Sequence, residues 1–421
     1  MKRLARRKFM HLAGAVGCAA LARPAIAQNK ARVVVIGGGP GGATVARYLA
    51  QTASSLDVTL VEATVQYRTC FFSNLYLGGL RSFDSLAHGY DTLRTAHGVN
   101  VIHDTAVAAD PGGMTVRLGG GATLQYDRLV MAPGIDFRYD AIEGYDESAA
   151  KVMPHAWRGG EQTMLLRQQL QAMPDGGLFV LVPPPDPFRC PPGPYERVSL
   201  IADYFRHEKP KSKILVLDSK NKFSKQELFQ DAWNQRYPGM IEWLPVDFTG
   251  GVKAVAPDKR AVMTADETFE AAVANVIPPQ TAGRIALDTG LADESGWCPV
   301  DPTTLESRLQ PRIHLVGDAI IPGEMPKSAF SANSQAKVCA MAVGAALTGS
   351  RRFEARFFNT CWSFLAADDA VKVGASYAVA DGKIAAANGF ISKTGESAET
   401  RAATARQAIA WYSAITADMF G

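Results

Sequence analysis

The chain has 421 residues, 47% of them hydrophobic and 20% charged, with a formal charge of +3. Six basic residues (Lys2, Arg3, Arg6, Arg7, Lys8 and Arg23) fall within the first 27 positions, where no acidic residue occurs, so the remainder is formally −3. The length and apolar content suffice for two or three domains with ordinary cores and exclude a disordered chain, and a mildly acidic body gives no footing for nucleic acid.

The first 27 residues read as a targeting segment. Arg6-Arg7-Lys8-Phe9-Met10 is a twin-arginine signature, Leu12 to Leu21 is a short, weakly apolar core, and Ala25-Ile26-Ala27 is an A-x-A cleavage site. The apolar run is too short to span a bilayer and is broken at Arg23-Pro24, which argues against an anchor. Cys18 as a lipoprotein cysteine fits less well than the later cleavage site. The expectation is a soluble periplasmic protein, exported folded by the twin-arginine route, with no stable membrane insertion.

From Arg32 the sequence runs Arg32-Val-Val-Val-Ile36, Gly37-Gly-Gly39-Pro-Gly-Gly42, an alanine-rich helical stretch to Gln51, then Val58-Thr-Leu-Val61-Glu62. A β-branched strand, a G-x-G-x-x-G turn and a helix start in immediate succession predict a dinucleotide-binding βαβ unit. Gly37 permits the tight turn, Gly39 lets the backbone approach a pyrophosphate, and Gly42 lets helix and strand pack closely. The helix N-terminus offers its free N–H groups to the phosphates. Glu62, 20 residues after Gly42, is placed to accept from an unphosphorylated adenosine ribose, which suits FAD or NAD.

Tyr67-Arg-Thr-Cys70-Phe-Phe-Ser-Asn74 follows, and on position alone Cys70 has two readings: a residue beside an isoalloxazine, or a buried inert thiol. Tyr126 to Gly134 is a strand ending in a small-residue turn, and Ile313-His-Leu-Val-Gly317-Asp318-Ala319 is a second. Asp318 is placed for ribityl hydroxyls, and the helix after Pro326 points its N-terminus at the flavin pyrimidine. Three such elements in this order make FAD the better account than a capping role for Asp318. Between them, Gly177 to Val182 and Lys213 to Asp218 open a second βαβ-like domain. Its first turn reads Pro183-Pro-Pro-Asp-Pro-Phe-Arg-Cys190-Pro-Pro-Gly-Pro-Tyr195-Glu196. Prolines donate no N–H, so no NAD site is expected. The aromatics of the C-terminal segment read as core, and Gly382 to Arg401 as a polar loop.

The fold class read from these elements is α/β: two Rossmann-like βαβ domains of the FAD-dependent disulfide-reductase type plus a small α+β C-terminal domain. The expected boundaries are 1–27 for the signal peptide, 28–140 with 270–350 for a discontinuous FAD domain, 141–269 for the second Rossmann-like domain and 351–421 for the C-terminal domain. No metal site is read.

Beyond the signal segment five cysteines remain: Cys70, Cys190, Cys298, Cys339 and Cys361. In an oxidising compartment an odd count implies a thiol otherwise engaged or left free. Cys339, on an alanine-rich helix, and Cys298 are expected to be buried.

The chain resembles the flavoprotein subunit of flavocytochrome c sulfide dehydrogenase, including its Sox-associated relatives. The resemblance rests on Cys70-x-x-Ser-Asn74, Cys190-Pro-Pro-Gly-Pro-Tyr-Glu196, Trp297-Cys-Pro-Val-Asp301, Gly317-Asp318, Pro326-Lys-Ser-Ala with Ser331-Ala-Asn-Ser-Gln335, Asn359-Thr-Cys361, and Trp411-Tyr412 near a terminal Phe-Gly. Cys339, where a small residue is expected, departs from it. The resemblance implies that Cys70 bonds through sulfur to the 8α carbon of FAD, which also accounts for the odd count. It further implies a Cys190–Cys361 disulfide beside the flavin, with Glu196 as a nearby acid or base. Hydrosulfide would attack that bond to give a persulfide and hand two electrons to the flavin. A purely structural bridge is the alternative, since a link across 171 residues restricts the unfolded chain by about 4–5 kcal/mol.

Without an NAD site the flavin must be emptied by a one-electron carrier. The resemblance implies a separate c-type cytochrome subunit in a heterodimer, because this chain has no C-x-x-C-H. The expected activity is thus sulfide:cytochrome c oxidoreductase, yielding sulfur or polysulfide. The alternatives are an accessory flavoprotein of a thiosulfate-oxidising complex acting on a partner's cysteine persulfide, and a sulfide:quinone oxidoreductase, which needs a membrane contact that the polar C-terminus does not offer.

Overall fold

The computed structural model describes residues 30–52 and 54–421. The twin-arginine segment therefore lies outside the described residues. Strand β1 (Ala31–Ile36) runs into the glycine turn and helix α1 (Pro40–Thr52), and β2 (Leu56–Val61) returns parallel to β1, with Ile36 opposite Val61. Strands β3 (Asn100–Ile102), β4 (Arg128–Met131) and, from much later in the chain, β9 (Ile313–Leu315) complete a sheet of order β9-β4-β1-β2-β3. Val33 to Ile36 are buried, as an unbroken β-branched run in a sheet covered on both faces should be. Over one face α1 packs on α4 (Ala329–Thr348). Both helices carry small buried residues: Ala43 and Ala46 on α1, Ala336 and Ala340 on α4.

The second sheet is also parallel: β5 (Leu178–Val182), β6 (Lys213–Leu217), β7 (Ile241–Leu244) and β8 (Val273–Val276), in the order β7-β6-β5-β8. Helix α2 (Gly193–Glu208) follows β5, and α3 (Gln226–Arg236) follows β6. Val273 to Val276 belong to this sheet through Phe179↔Val273, so the second domain runs past the expected boundary at 269. Parallel pairing with β5, invisible in local composition, decides that membership.

The C-terminal part is a three-stranded antiparallel sheet, β10 (Arg356–Ala366), β11 (Asp369–Ala380) and β12 (Lys383–Ile391), followed by α5 (Ala398–Phe420). Ser397 caps α5 by accepting from the Thr400 N–H. The loop expected over Gly382 to Arg401 is corrected: most of it is edge strand β12 and the first turn of α5. Its polarity reflects the exposure of that edge strand rather than irregular backbone.

β10 ties the two Rossmann-like domains together. Phe357 sits in the core of the first, together with Ile415, Met419 and Phe420 of α5, while Leu365 joins the core of the second with Phe229 and Trp233. Asp369 holds Arg236 of α3 and Arg401 of α5, each at 2.6 Å. The segment between these two anchors, Asn359 to Phe364, is thereby held over the cleft between the domains. No helix among the described residues is long and apolar enough to cross a membrane.

Candidate active site

A cavity of about 530 Å³ runs from the glycine turn to β10. Gly37, Gly39, Glu62, Cys70, Cys190, Glu196, Asp318 and Cys361 all line it. Gly42, the remaining expected position, lies under the turn, where a Cβ would stand 1.8 Å from the Gly37 carbonyl oxygen. Gly37 has φ +93°, and a side chain there would meet the Ala132 carbonyl at 2.4 Å. Glu62 does more than face a ribose: one carboxylate oxygen accepts from the Gly38 N–H at 2.7 Å, the other from Thr64 N at 2.9 Å and Thr64 Oγ1 at 2.8 Å. It therefore shapes the turn while keeping acceptor capacity for a ligand.

The middle of the cavity fits a flavin. Asp318 Oδ1, Arg189 Nε and Trp362 Nε1 are buried with no hydrogen-bond partner among the described residues, and all three residues line the cavity. Orphaned groups of both polarities suit a ligand that carries hydroxyls, carbonyls and ring nitrogens. Burial pushes the Asp318 carboxyl up, against Arg189 at 3.7 Å and Lys327. Ser328, whose hydroxyl accepts from the Ser331 N–H, caps α4, and Ser328, Ala329 and Phe330 line the cavity. The α4 N-terminus thus opens on it, as expected. Cys70 donates to the Trp157 carbonyl at 3.2 Å. Its segment is clamped by Tyr412, which meets Thr69 Oγ1 at 3.0 Å and stacks on Phe72 at 4.4 Å. Trp411, expected as core, packs against the core and also lines the cavity, stacking on Trp362 at 5.2 Å, because α5 folds back over the Cys70 segment.

At the far end stand the two cysteines and Glu196. Cys190 adopts φ +59°, with its N–H donating to Lys327 O at 2.7 Å. Gly193 makes room for it, since a Cβ there would lie 2.9 Å from the Cys190 sulfur. Cys361 Sγ accepts from Asn359 Nδ2 at 3.3 Å, and Asn359 is itself held by Ser328 at 2.6 Å. Cys190 and Cys361 face one cavity but stand as separate thiols, so the bridge implied by the resemblance is not formed here. In place of Cys190, the Cys361 sulfur has Asn359 as its hydrogen-bond partner. Burial raises both thiols, Cys190 the more strongly, with Cys361 and Glu196 adding to it; at Cys361 the rise is opposed by Lys225 and Asn359.

Glu196 Oε1 accepts from the Phe364 N–H at 2.9 Å and Oε2 from Asn74 Nδ2 at 2.8 Å. Burial nevertheless holds its carboxyl above the usual range, which is what a proton acceptor working near neutrality needs. Cys298 and Cys339 are buried, as expected, and do not line the cavity.

Two cations escaped sequence reasoning. Arg197 is fully buried, binds Asn74 Oδ1 at 3.0 Å, Asn275 Oδ1 at 2.8 Å and Ala156 O at 2.7 Å, and burial lowers it to about 10. Lys225 is buried against β10, where Nζ donates to Cys361 O at 3.0 Å and Ser363 Oγ at 2.7 Å. Adjacency to Glu196 was a signal for Arg197; nothing local marks Lys225.

At the corresponding place in the second domain, the groups that would meet a dinucleotide have partners within the chain. After β5 the chain runs through prolines, where Pro183 O accepts from Ser219 Oγ at 3.3 Å and Pro184 O from Lys220 Nζ at 2.8 Å. Asp218, at the end of β6 where a ribose acceptor would stand, is occupied by Tyr195 Oη at 2.6 Å, Trp243 Nε1 at 2.9 Å and Lys220 Nζ at 2.8 Å.

Comparisons with known proteins agree with this geometry. Residues 163–278 match the family described as "Sulfide dehydrogenase [flavocytochrome c] flavoprotein chain, central", residues 353–420 match "Flavocytochrome c sulphide dehydrogenase, flavin-binding", and residues 31–163 match "Pyridine nucleotide-disulphide oxidoreductase". The sulfide dehydrogenase [flavocytochrome c] flavoprotein chain of Chlorobaculum thiosulfatiphilum is 56% identical over 43 residues, 10% of this chain and 90% of that sequence. The mitochondrial sulfide:quinone oxidoreductase of Mus musculus is 25% identical over 331 residues, 73% of this chain and 70% of that one. The structure of the sulfide:quinone oxidoreductase from Aquifex aeolicus superposes with a TM-score of 0.74 at 17% identity, covering 92% of each chain, which shows a common fold. The central and flavin-binding regions match a single family, and the chain belongs to it: the flavoprotein chains of flavocytochrome c sulfide dehydrogenase, flavin-dependent oxidoreductases that oxidise sulfide.

Proposed function

We propose that this chain is the flavoprotein half of a periplasmic sulfide:cytochrome c oxidoreductase, with FAD held covalently through Cys70. The observation that carries the reading is the meeting of Cys190, Cys361 and Glu196 at one end of the cavity whose other end is the glycine turn. The working form has Cys190 and Cys361 joined as a disulfide. Hydrosulfide forms a new S–S bond to one of these sulfurs, the original bond breaks, and its electron pair stays on the other sulfur as a thiolate. Glu196 takes the substrate proton. Bound flavin supplies a two-electron acceptor that can be emptied one electron at a time. Gly37, Gly39, Glu62 and Asp318 would hold it, and Trp362 and Trp411 would shield it from water.

The engaged prolines and Asp218 argue against a nicotinamide partner, and a c-type cytochrome subunit fits the one-electron exit. Export by the twin-arginine route accords with a cofactor that must be loaded before secretion. Anaerobic mixing with sulfide tests the reaction. Wild type is expected to bleach its flavin, while Cys190→Ser and Cys361→Ser, each with flavin retained, are expected to lose most of that rate. Bleaching at the wild-type rate in both folded variants would mean that hydrosulfide attacks the flavin directly. A haem band that co-purifies with the chain from its native source tests the partner.

A further inference from the structure

Lys225 enters the site from the second domain, at the residue before α3, with φ +62°. Its ammonium is buried, and its hydrogen-bond partners among the described residues, Cys361 O and Ser363 Oγ, are both neutral. An ammonium taken out of water without an anion is costly, so a buried one signals a negative charge that the site acquires. The ionisable groups that face it are Cys361, Glu196 and Cys190. Glu196 takes two neutral donors, the Phe364 N–H and Asn74, and makes no hydrogen bond to Lys225 among the described residues, whereas Cys361 weighs most on the ammonium and lends it its carbonyl; the charge that the reaction adds falls on one of the two sulfurs.

A second cavity decides between them. It measures about 510 Å³, lies behind the proline loop and β11–β12, and is walled by Pro191, Pro192, Val373, Phe390 and Ile391. Among the described residues Cys361 is the one common to its lining and to that of the flavin cavity. Cys190 lines only the flavin side. With flavin in place, Cys361 is therefore the sulfur of the pair that can be met from elsewhere.

We propose that Lys225 is the counter-ion of an anionic sulfur on Cys361, and that the second cavity is where an inorganic sulfur anion, hydrosulfide or a short polysulfide, reaches that sulfur. The proposal rests on the disulfide chemistry of the preceding section. Hydrosulfide forms an S–S bond to Cys361 Sγ, the Cys361–Cys190 bond breaks, and its electron pair goes to Cys190. Glu196 takes the persulfide proton and passes it to the Cys190 thiolate, so that one negative charge has entered and one remains, on the Cys361 side next to Lys225. In the fully reduced pair the same cation favours the Cys361 thiolate. Burial lowers Lys225 to about 8 and raises Cys361, while Lys225 is the leading influence pulling that thiol back down; for Cys190 its help ranks last. Lys225 touches Cys361 through the backbone carbonyl and is thus a positioning residue.

The test is alkylation of the reduced, flavin-loaded protein by iodoacetamide between about pH 6 and 10, with each site read by peptide mass. Cys361 is expected to react ahead of Cys190 and with the lower midpoint. Lys225→Met should raise the Cys361 midpoint by about one unit or more, a roughly tenfold slower reaction near neutrality, and leave Cys190 unchanged. Lys225→Arg should restore most of it, which a packing defect would not allow. An unchanged Cys361 curve in Lys225→Met, or Cys190 reacting first in the wild type, would overturn the proposal; the second outcome needs no variant to fold. If the labelling shifts as expected while sulfide bleaches the flavin of the Cys361→Ser variant normally, the counter-ion role stands and the disulfide chemistry falls.

Discussion

The backbone N–H of Phe364 donates to the carboxylate of Glu196 at 2.9 Å, across 168 residues of sequence. This bond fastens the first turn of α2 to the strand that carries Cys361, so the acid/base group and the sulfur chemistry cannot move independently. Glu196 lies above the usual carboxylate range because of burial, with Phe364, Asn74, Lys225 and Arg197 pulling it back.

A pH dependence follows. A carboxylate accepts a proton only when ionised, so sulfide-dependent flavin reduction should fall on the acid side as pH drops through the raised Glu196 value. In Glu196→Gln that limb should vanish and the maximal rate should drop by about 10²–10⁴-fold, the usual worth of a general base. Stopped-flow rates against pH check both. An intact acid limb in the variant would assign the proton to another group.

Cys70 lines the flavin cavity, within a segment clamped by Tyr412. Acid precipitation of the wild type is expected to leave the yellow colour in the pellet, and Cys70→Ala should release it to the supernatant. Colour that leaves the wild-type pellet entirely would exclude the thioether.

NADH and NADPH are expected to leave the flavin oxidised. The turn after β5 is built from prolines, α2 begins only at Gly193, which itself lines the flavin cavity, and Asp218 has three partners already. Anaerobic mixing at micromolar nucleotide suffices as the test, and rapid bleaching would refute the argument.

His155 predicts an acid-side loss of stability. It is buried beneath Trp157, whose N–H it accepts at 3.0 Å, and burial, aided by Arg158, Arg197 and Arg189, lowers it from 6.5 to about 3. Because the unfolded chain binds this proton more readily, the stability due to neutral His155 is full above about pH 6.5 and drains as pH falls toward about 3. The loss is on the order of 4 kcal/mol. Urea unfolding of wild type and His155→Asn across that window should show the wild type losing more stability as pH falls. Parallel curves would mean that His155 charges without cost.

The first βαβ unit was legible because its signals are local: the β-branched Val33 to Ile36, the glycines of the turn and Glu62 all lie within one stretch of about 30 residues. The absence of a second glycine fingerprint was equally local, because a proline without an N–H says so wherever it stands. Cys190, Glu196 and Cys361 were named through the resemblance, and no periodicity or spacing joins positions so far apart. What the sequence could not show was the company they keep. Lys225 reaches Cys361 because α3 and β10 share a core through Phe229, Trp233 and Leu365. Trp411 meets the cavity because α5 folds back on the Cys70 segment. The polar stretch after Gly382 became a strand because β11 offered it an edge. Chemical capacity is carried residue by residue and can be read from a sequence, whereas burial, the charge facing a thiol and the pairing of an edge are set by chain segments that meet only once the fold has closed.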